Sequence, residues 1–310
     1  MSKDFDIAVI GSGIAGLTAA LTAARLGRST LILTGETLGG HLLNIEKIDG
    51  VPGYPDGVAG FDLCPITQEQ AVAAGAAIAM ASVTALERSA DSWQLTTTKD
   101  SVQARAVIVA SGTQLKQLDV PGESLLRGKG VSQCASCDAP LLRDKAVVVA
   151  GGGDSALQEA LVLAEHAASV SIVHHEDQYV AQAAYRVLAE VHPRISALPH
   201  SEIVEISGDP VVDNVIVRNT RNGETQPLNC AAVFVFVGLQ PNISFVDASV
   251  VDSDGAIITD EHFRTKLTGL LAAGTVRATC AGRAATAAGE GAAAALAADR
   301  FLTDKEWPTN

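Results

Sequence analysis

Aromatic residues are scarce in this 310-residue sequence: Phe, Trp and Tyr together make up 4%. A folded core must then be built mainly from Val, Ile, Leu and Ala. Charge is also sparse, at 18% against 47% hydrophobic residues, the balance of a folded α/β protein rather than a disordered chain. Positive charge is the scarcest, with 22 Lys and Arg against 35 Asp and Glu and a net charge of -13. That argues against nucleic acid and anionic lipid, both of which attract basic surfaces. No apolar run reaches the length of a membrane span without Gly or charge. The Ala-rich tract Ala284–Ala298 is broken by Gly289, Glu290 and Gly291 and reads as a helix packed on protein. The stretch Ile7–Ile10 is too short for a signal-peptide core, so no targeting segment is visible and a cytoplasmic location is expected. Five cysteines (Cys64, Cys134, Cys137, Cys230 and Cys280) are too few and too scattered for a disulfide framework in a reducing compartment.

The length exceeds what one hydrophobic core usually serves, which favours two domains, and the sequence contains one unit twice. Asp6–Ile10 reads as an apolar strand, followed by the turn Gly11-Ser12-Gly13-Ile14-Ala15-Gly16, a helix over Leu17–Leu26 and a strand over Ser29–Leu33. Glu36 lies 20 residues past the last glycine. The second copy has a strand over Lys145–Ala150, the turn Gly151-Gly152-Gly153-Asp154-Ser155-Ala156, a helix over Leu157–Ala167 and a strand over Ser169–Val173. Glu176 again lies 20 residues past Ala156. In such a unit the first glycine permits a tight turn, the second lets a pyrophosphate approach the backbone, and the third lets helix and strand pack closely. The helix N-terminus then faces the phosphates. Each copy ends in an apolar strand and glycine, Ala106–Ala110 before Gly112 and Ala232–Val237 before Gly238. Two dinucleotide-binding folds follow. The segment after Asn242 has no glycine fingerprint of its own; strands are expected over Gly255–Thr259 and Gly269–Ala273, then Gly274 and the Ala-rich helix. The simplest architecture returns it to the first domain and makes the second an insertion.

Cys134-Ala135-Ser136-Cys137-Asp138 sits just before the second fold. A C-x-x-C pair can close into a small reducible ring whose thiolate is the reactive form. Asp138 is placed to move a proton to or from a sulfur. A zinc site, which needs a second ligand pair, and an inert buried pair are the competing readings. Cys64, Cys230 and Cys280 are isolated and read as packing or chance thiols, and no metal site is expected.

Two nucleotide folds with a C-x-x-C at the start of the second resemble low-molecular-weight thioredoxin reductase over roughly residues 5–302. The matching pieces are Gly11–Gly16, Gly39-Gly40, Pro52-Gly53-Tyr54-Pro55, Ala110-Ser111-Gly112, Cys134–Asp138, Gly151–Ala156, Gly238–Asn242 and Ala272-Ala273-Gly274. The resemblance implies an α/β homodimer with two Rossmann-like three-layer domains. Residues 1–114 and 243–310 would bind FAD, through Gly11, Gly13, Ala15, Gly16, Glu36, Gly40, Gly112, Gly274, Thr275, Arg283 and Ala284. Residues 115–242 would form the NAD(P)-binding-like domain, with Gly151, Gly153, Asp154, Ser155 and Glu176 toward a nicotinamide nucleotide. It further implies that Cys137 faces the flavin, Cys134 exchanges with substrate and Asp138 is the acid-base residue.

The sequence also departs from that family. NADPH-using relatives carry His-Arg-Arg after the second strand of the second fold and a further Arg beyond, whose guanidiniums hold the 2′-phosphate. Here the stretch is His174-His175-Glu176-Asp177, read as turn residues, with Val180 in place of the last Arg. The NADPH 2′-phosphate site thus reads as lost, and Glu176 suits a ribose 2′-hydroxyl. Thr275 replaces the Asp that holds the ribityl chain, Arg283-Ala284 replaces Arg-Gln, and Ala139-Pro140-Leu141-Leu142 replaces an aromatic run that receives thioredoxin. These departures favour a related branch, the dithiol oxidases of natural-product pathways. That branch closes a small-molecule dithiol to a disulfide and passes electrons through FAD to oxygen or a nicotinamide, although many of its members have His where this chain has Asp138. The alternative is a thioredoxin reductase using NADH, NADPH or ferredoxin; a flavin-binding regulatory protein with a vestigial pair ranks last. A small dithiol or disulfide is the expected partner ahead of thioredoxin, with neither nucleic acid nor membrane.

Overall fold

The computed structural model describes residues 4–89 and 91–307, so the outermost ends of the expected first domain lie outside the described residues. The chain forms two compact units, residues 1–114 with 240–310 and residues 115–239. The second is inserted in the first.

In the first unit, β1 (Asp4–Ile10) pairs in parallel with β2 (Thr30–Leu33) on one side and β6 (Ser101–Val109) on the other. β3 (Ala77–Ala79) continues past β2. The hairpin of β4 (Val83–Ser89) and β5 (Ser92–Thr97) joins β6 antiparallel through β5. β17 (Leu270–Ala272) pairs in parallel with β6, so the C-terminal segment completes this unit. Successive β1 side chains enter opposite layers. Ile7 and Val9 pack among residues of α1 (Ile14–Arg25), α2 (Gly60–Ala73) and α6 (Ala284–Asp304), while Ala8 and Ile10 pack among Leu31, Leu95 and Leu270. A strand covered on both faces needs a continuous apolar run, which β1 and β6 have.

The second unit repeats the plan. A parallel sheet runs in the order β11 (Ile195–Leu198), β10 (Ser169–Val173), β9 (Ala146–Ala150), β15 (Ala232–Val235), β8 (Val131–Ser132). Val147 and Val149 face the layer containing α3 (Ala135–Asp138) and α4 (Asp154–His166), against which α5 (Ala183–Val191) also packs. Val148 and Ala150 face residues of an antiparallel sheet formed by β12 (Ser201–Ser207), β13 (Asn214–Asn219) and β14 (Thr225–Asn229). The two chain crossings lie in β7 (Thr113–Leu115) and β16 (Leu239–Pro241), which pair with each other.

Three sequence expectations need correction. α1 and α4 begin three residues early, at Ile14 and Asp154, because Gly13 and Gly153 already take the cap position. The expected strand over Gly255–Thr259 is instead a turn region. The Asp252 carboxylate accepts from the amides of Asp254 and Ala256, and only Ile257 bridges, to Val251 and Arg277. Such a side chain-to-backbone turn competes with strand formation. Finally, α6 runs on past Ala298 to Asp304.

Candidate active site

Both glycine turns have the geometry their spacing suggests. Gly11 has φ +110°, and a Cβ there would lie 2.2 Å from the Ala110 carbonyl oxygen; Gly151 has φ +125° and the same relation to Phe236. A side chain at Gly16 would meet the Gly11 carbonyl at 2.0 Å, so the third glycine lets α1 lie against the turn. In front of Gly13 and Gly153 the space is open, and neither α1 nor α4 has a side-chain cap. Open glycine backbone at an uncapped helix N-terminus suits a pyrophosphate.

Two of the residues expected around FAD, Gly40 and Gly274, abut the first turn. Gly40, at the start of a 3₁₀ turn over Gly40–Asn44, abuts Gly13. Gly274 abuts Ala15 and Ala287, the latter in the first turn of α6 next to Arg283 and Ala284. The Thr275 hydroxyl lies 3.3 Å from that of Thr113 and near Gly112. Glu36 is exposed just beyond β2. Ser12 goes unnoticed in the sequence: its hydroxyl donates to the Thr37 carbonyl at 3.3 Å and accepts from the Gly39 amide at 3.3 Å, tying the segment after β2 to the turn.

At the second turn, Asp154 is held by Gln182, whose amide and side chain donate to it at 2.7 and 3.1 Å, and the Val180 amide donates to the Gly152 carbonyl at 2.9 Å. Ser155, His175, Glu176 and Val180 are exposed. His174, read from sequence as a turn residue, lies just past β10 and is buried. It is 4% exposed, packs against Gly152 and lies 4.8 Å from the Tyr179 ring, with Nδ1 unpaired. Burial holds its pKa below the usual 6.5; His200 and His175 act the same way and Glu176 opposes them. Asp177 is bound by His200 at 2.7 Å and by Arg221 at 2.5 Å, so its charge does not stand alone beside Glu176.

Cys134 and Cys137 are joined in a disulfide, with Cα atoms 5.4 Å apart. Cys137 is exposed; Cys134 and Asp138 are half-buried. The segment is anchored through Ala135, Ala139 and Leu142, whose spacing puts them on one side, buried with α4 residues. The Cys134 amide donates to the Ser132 hydroxyl at 3.1 Å, and the Ala135 amide donates to the Glu159 carboxylate at 2.8 Å. Cys64 and Cys230 lie apart and buried, their thiols pushed up by burial to about 11 and about 12. Cys280 is half-buried and its thiol is raised, chiefly by burial. Among the described residues no group of three His, Cys, Asp or Glu side chains could hold a metal ion, and no helix is long and apolar enough to cross a membrane.

Two dinucleotide turns and a redox-capable disulfide define a class, and comparison with known proteins agrees. The profile of the pyridine nucleotide-disulphide oxidoreductase family matches residues 5–291. Thioredoxin reductase of Treponema pallidum is 37% identical over 302 residues, covering 97% of this chain and 98% of the relative. That of Streptomyces clavuligerus is 38% identical over 306 residues, covering 97% and 95%. Among solved structures, thioredoxin reductase of Lactococcus lactis superposes with TM-score 0.93 at 35% identity, covering 97% of this chain and 99% of that one. The T. acidophilum enzyme gives 0.91 at 31%, covering 98% and 99%. This chain belongs to the pyridine nucleotide-disulphide oxidoreductase family, as a thioredoxin reductase-like flavoprotein. It is a flavin-dependent thiol-disulfide oxidoreductase, and its family implies FAD and a nicotinamide partner.

Proposed function

We propose that this chain reduces the disulfide of a thioredoxin-like protein, using NADH in preference to NADPH as electron source. The observation that carries this reading is full-length similarity to proteins named thioredoxin reductase. Asp138 beside the pair supports it further. The relatives favour this reading over the small-dithiol oxidase that the sequence departures suggest. Residues 1–114 with 243–310 are taken as the FAD domain and 115–242 as the nucleotide domain, in a homodimer.

FAD, when bound, supplies two-electron exchange between a nicotinamide and a dithiol. The first glycine turn would hold its pyrophosphate, Glu36 its adenosine ribose, and Thr275 would offer the ribityl chain a hydroxyl in place of a carboxylate. In the reduced pair, the Cys134 thiolate attacks one sulfur of the substrate disulfide, forming a mixed disulfide and releasing a substrate thiolate. Cys137 then attacks Cys134, re-forming the Cys134–Cys137 bond and releasing the second substrate thiolate. Asp138 takes the proton from the attacking thiol and returns it to a leaving sulfur. At the second turn, Glu176 would accept a hydrogen bond from a ribose 2′-hydroxyl, and the absence of Arg at 176 and 180 leaves a 2′-phosphate without its usual partners.

One observation favours the oxidase as second reading. Past Asp138 the exposed surface offers Pro140 and Leu141, the latter 74% exposed, rather than aromatic rings for a protein partner. Anaerobic flavin absorbance decides between the two. Bleaching by NADH, followed by recovery with oxidised thioredoxin, supports the reductase. Bleaching only by a small dithiol, with recovery on admitting air, replaces it with the oxidase.

A further inference from the structure

Two side chains from outside the C-x-x-C segment bond to its backbone and have no part in the mechanism above: the Ser132 hydroxyl and the Glu159 carboxylate. Glu159, in the second turn of α4, accepts a 2.8 Å hydrogen bond from the amide of Ala135, the residue next to Cys134. Ala135 is fully buried, so this amide has no recourse to water, and an unsatisfied buried N–H would be costly. The carboxylate thus fixes the backbone from which both cysteines project. It also brings a carboxylate to a half-buried position beside them.

We infer that Glu159 is a positioning residue that holds the cysteine pair in place and makes its reduced form a weaker acid. The inference rests on the reading of Cys134–Cys137 as the redox pair. Reduction breaks the S–S bond with two electrons, supplied through the flavin, and two protons, giving two thiols. A neighbouring carboxylate disfavours loss of either proton, because the resulting thiolate would share its sign. It destabilises the thiolate forms of the reduced state while leaving the uncharged disulfide and dithiol unaffected, so at a pH above the thiol pKa it drives the equilibrium toward the disulfide and makes the pair more reducing. Asp138, on α3 itself, brings a carboxylate of the same sign next to the pair; the segment Ala139–Leu142, packed against both α3 and α4, carries no titratable side chain.

The test uses the flavin-loaded enzyme and reads each cysteine by mass spectrometry after alkylation. Alkylation rate against pH gives the thiol pKa of the reduced pair, and equilibration with dithiothreitol buffers gives its redox equilibrium. Glu159→Gln keeps an acceptor oxygen for Ala135 and removes the charge. It is expected to lower the thiol pKa by about one unit and, at pH values above that pKa, to shift the equilibrium about tenfold toward the reduced pair, equivalent to about 30 mV, with little shift where both thiols stay protonated. Glu159→Asp, which withdraws the charge by one methylene, should fall between wild type and Gln, and decides alone if the Gln variant does not fold. Thiol pKa and redox equilibrium unchanged in these variants would overturn the inference while leaving the redox reading intact. A wild-type pair that dithiothreitol cannot reduce would overturn both.

Discussion

Glu290, on α6, receives two hydrogen bonds from the guanidinium of Arg277, at 3.2 and 3.1 Å, and a third from the amide of Gly274 at 2.8 Å. Arg277 also reaches the Thr259 hydroxyl at 2.6 Å and lies 4.8 Å from the centre of the Phe263 ring. At 10% and 12% exposure this pair is largely out of water, and it fixes the turn that carries Gly274 and Thr275. Glu290→Gln should leave the Arg277 charge buried without its counterion, a change that costs about 3–5 kcal/mol. Denaturant unfolding measures the cost, and retained flavin after gel filtration measures the effect on the turn. Replacing both residues by Met should recover much of the loss, because two uncharged side chains leave no buried charge. A single-variant cost below about 1 kcal/mol would mean that the pair behaves as an exposed one.

The glycine turns were legible because their constraints are local. Gly11, Gly16 and Gly151 are fixed by atoms of the strand and turn they sit in or of the neighbouring strand end, so spacing alone reveals them. The return of the C-terminal segment to the first unit was legible from an absence: the segment has no glycine fingerprint of its own, and β17 pairs with β6. Hydrogen bonds between residues distant in sequence left no such signal. Nothing near Glu159 in sequence indicates that it serves an amide 24 residues earlier, and nothing near Asp177 points to Arg221, 44 residues later. The burial of His174 left no signal for the same reason, since it depends on Gly152 and Tyr179 packing against it.

That burial has a consequence for stability. The pKa of His174 is lowered on folding, chiefly by burial and further by the nearby His200. The folded state therefore favours the neutral ring, and the unfolded chain binds a proton more readily. Its contribution is fully present above pH 6.5, the unfolded value, and is lost as pH falls below 6.5 through the folded pKa. His174→Phe, which retains a ring for Tyr179, should lose less stability over that interval. Chemical unfolding of both proteins at a series of pH values checks this: the gap between them should widen in favour of Phe below pH 6.5, and a constant gap would contradict it.

The five cysteines should separate by reactivity. Thiolate is the nucleophile, and burial raises Cys64 to about 11 and Cys230 to about 12, so both should resist iodoacetamide in the folded protein at neutral pH. Cys134 and Cys137 are blocked while joined and should become the fastest-labelling pair once reduced. Peptide mapping before and after reduction reads this directly. Rapid labelling of Cys64 in the oxidised protein would show that the segment bearing Gly39, to which its thiol donates at 3.3 Å, opens readily.

Nucleotide preference should be set by positions 176 and 180. Asp177 is engaged by Arg221 and His200, so on the proposed reading Glu176 is the acid that would meet a ribose, with apolar Val180, 72% exposed, where a guanidinium would serve a phosphate. Glu176→Arg removes a negative charge and supplies a fork of donors for a 2′-phosphate; adding Val180→Arg supplies a second. A hydrogen bond to a charged group contributes about 1.5–3 kcal/mol, so each Arg should raise the ratio of NADPH to NADH kcat/KM by about tenfold or more. Disrupting the Asp177 cluster with Arg221→Gln should change that ratio far less, because the guanidinium is already held by a carboxylate. Steady-state flavin reduction with each nucleotide measures the ratio. An enzyme that already prefers NADPH, with a preference abolished by Arg221→Gln, would instead identify Arg221 as the phosphate-binding residue that replaces the missing arginines.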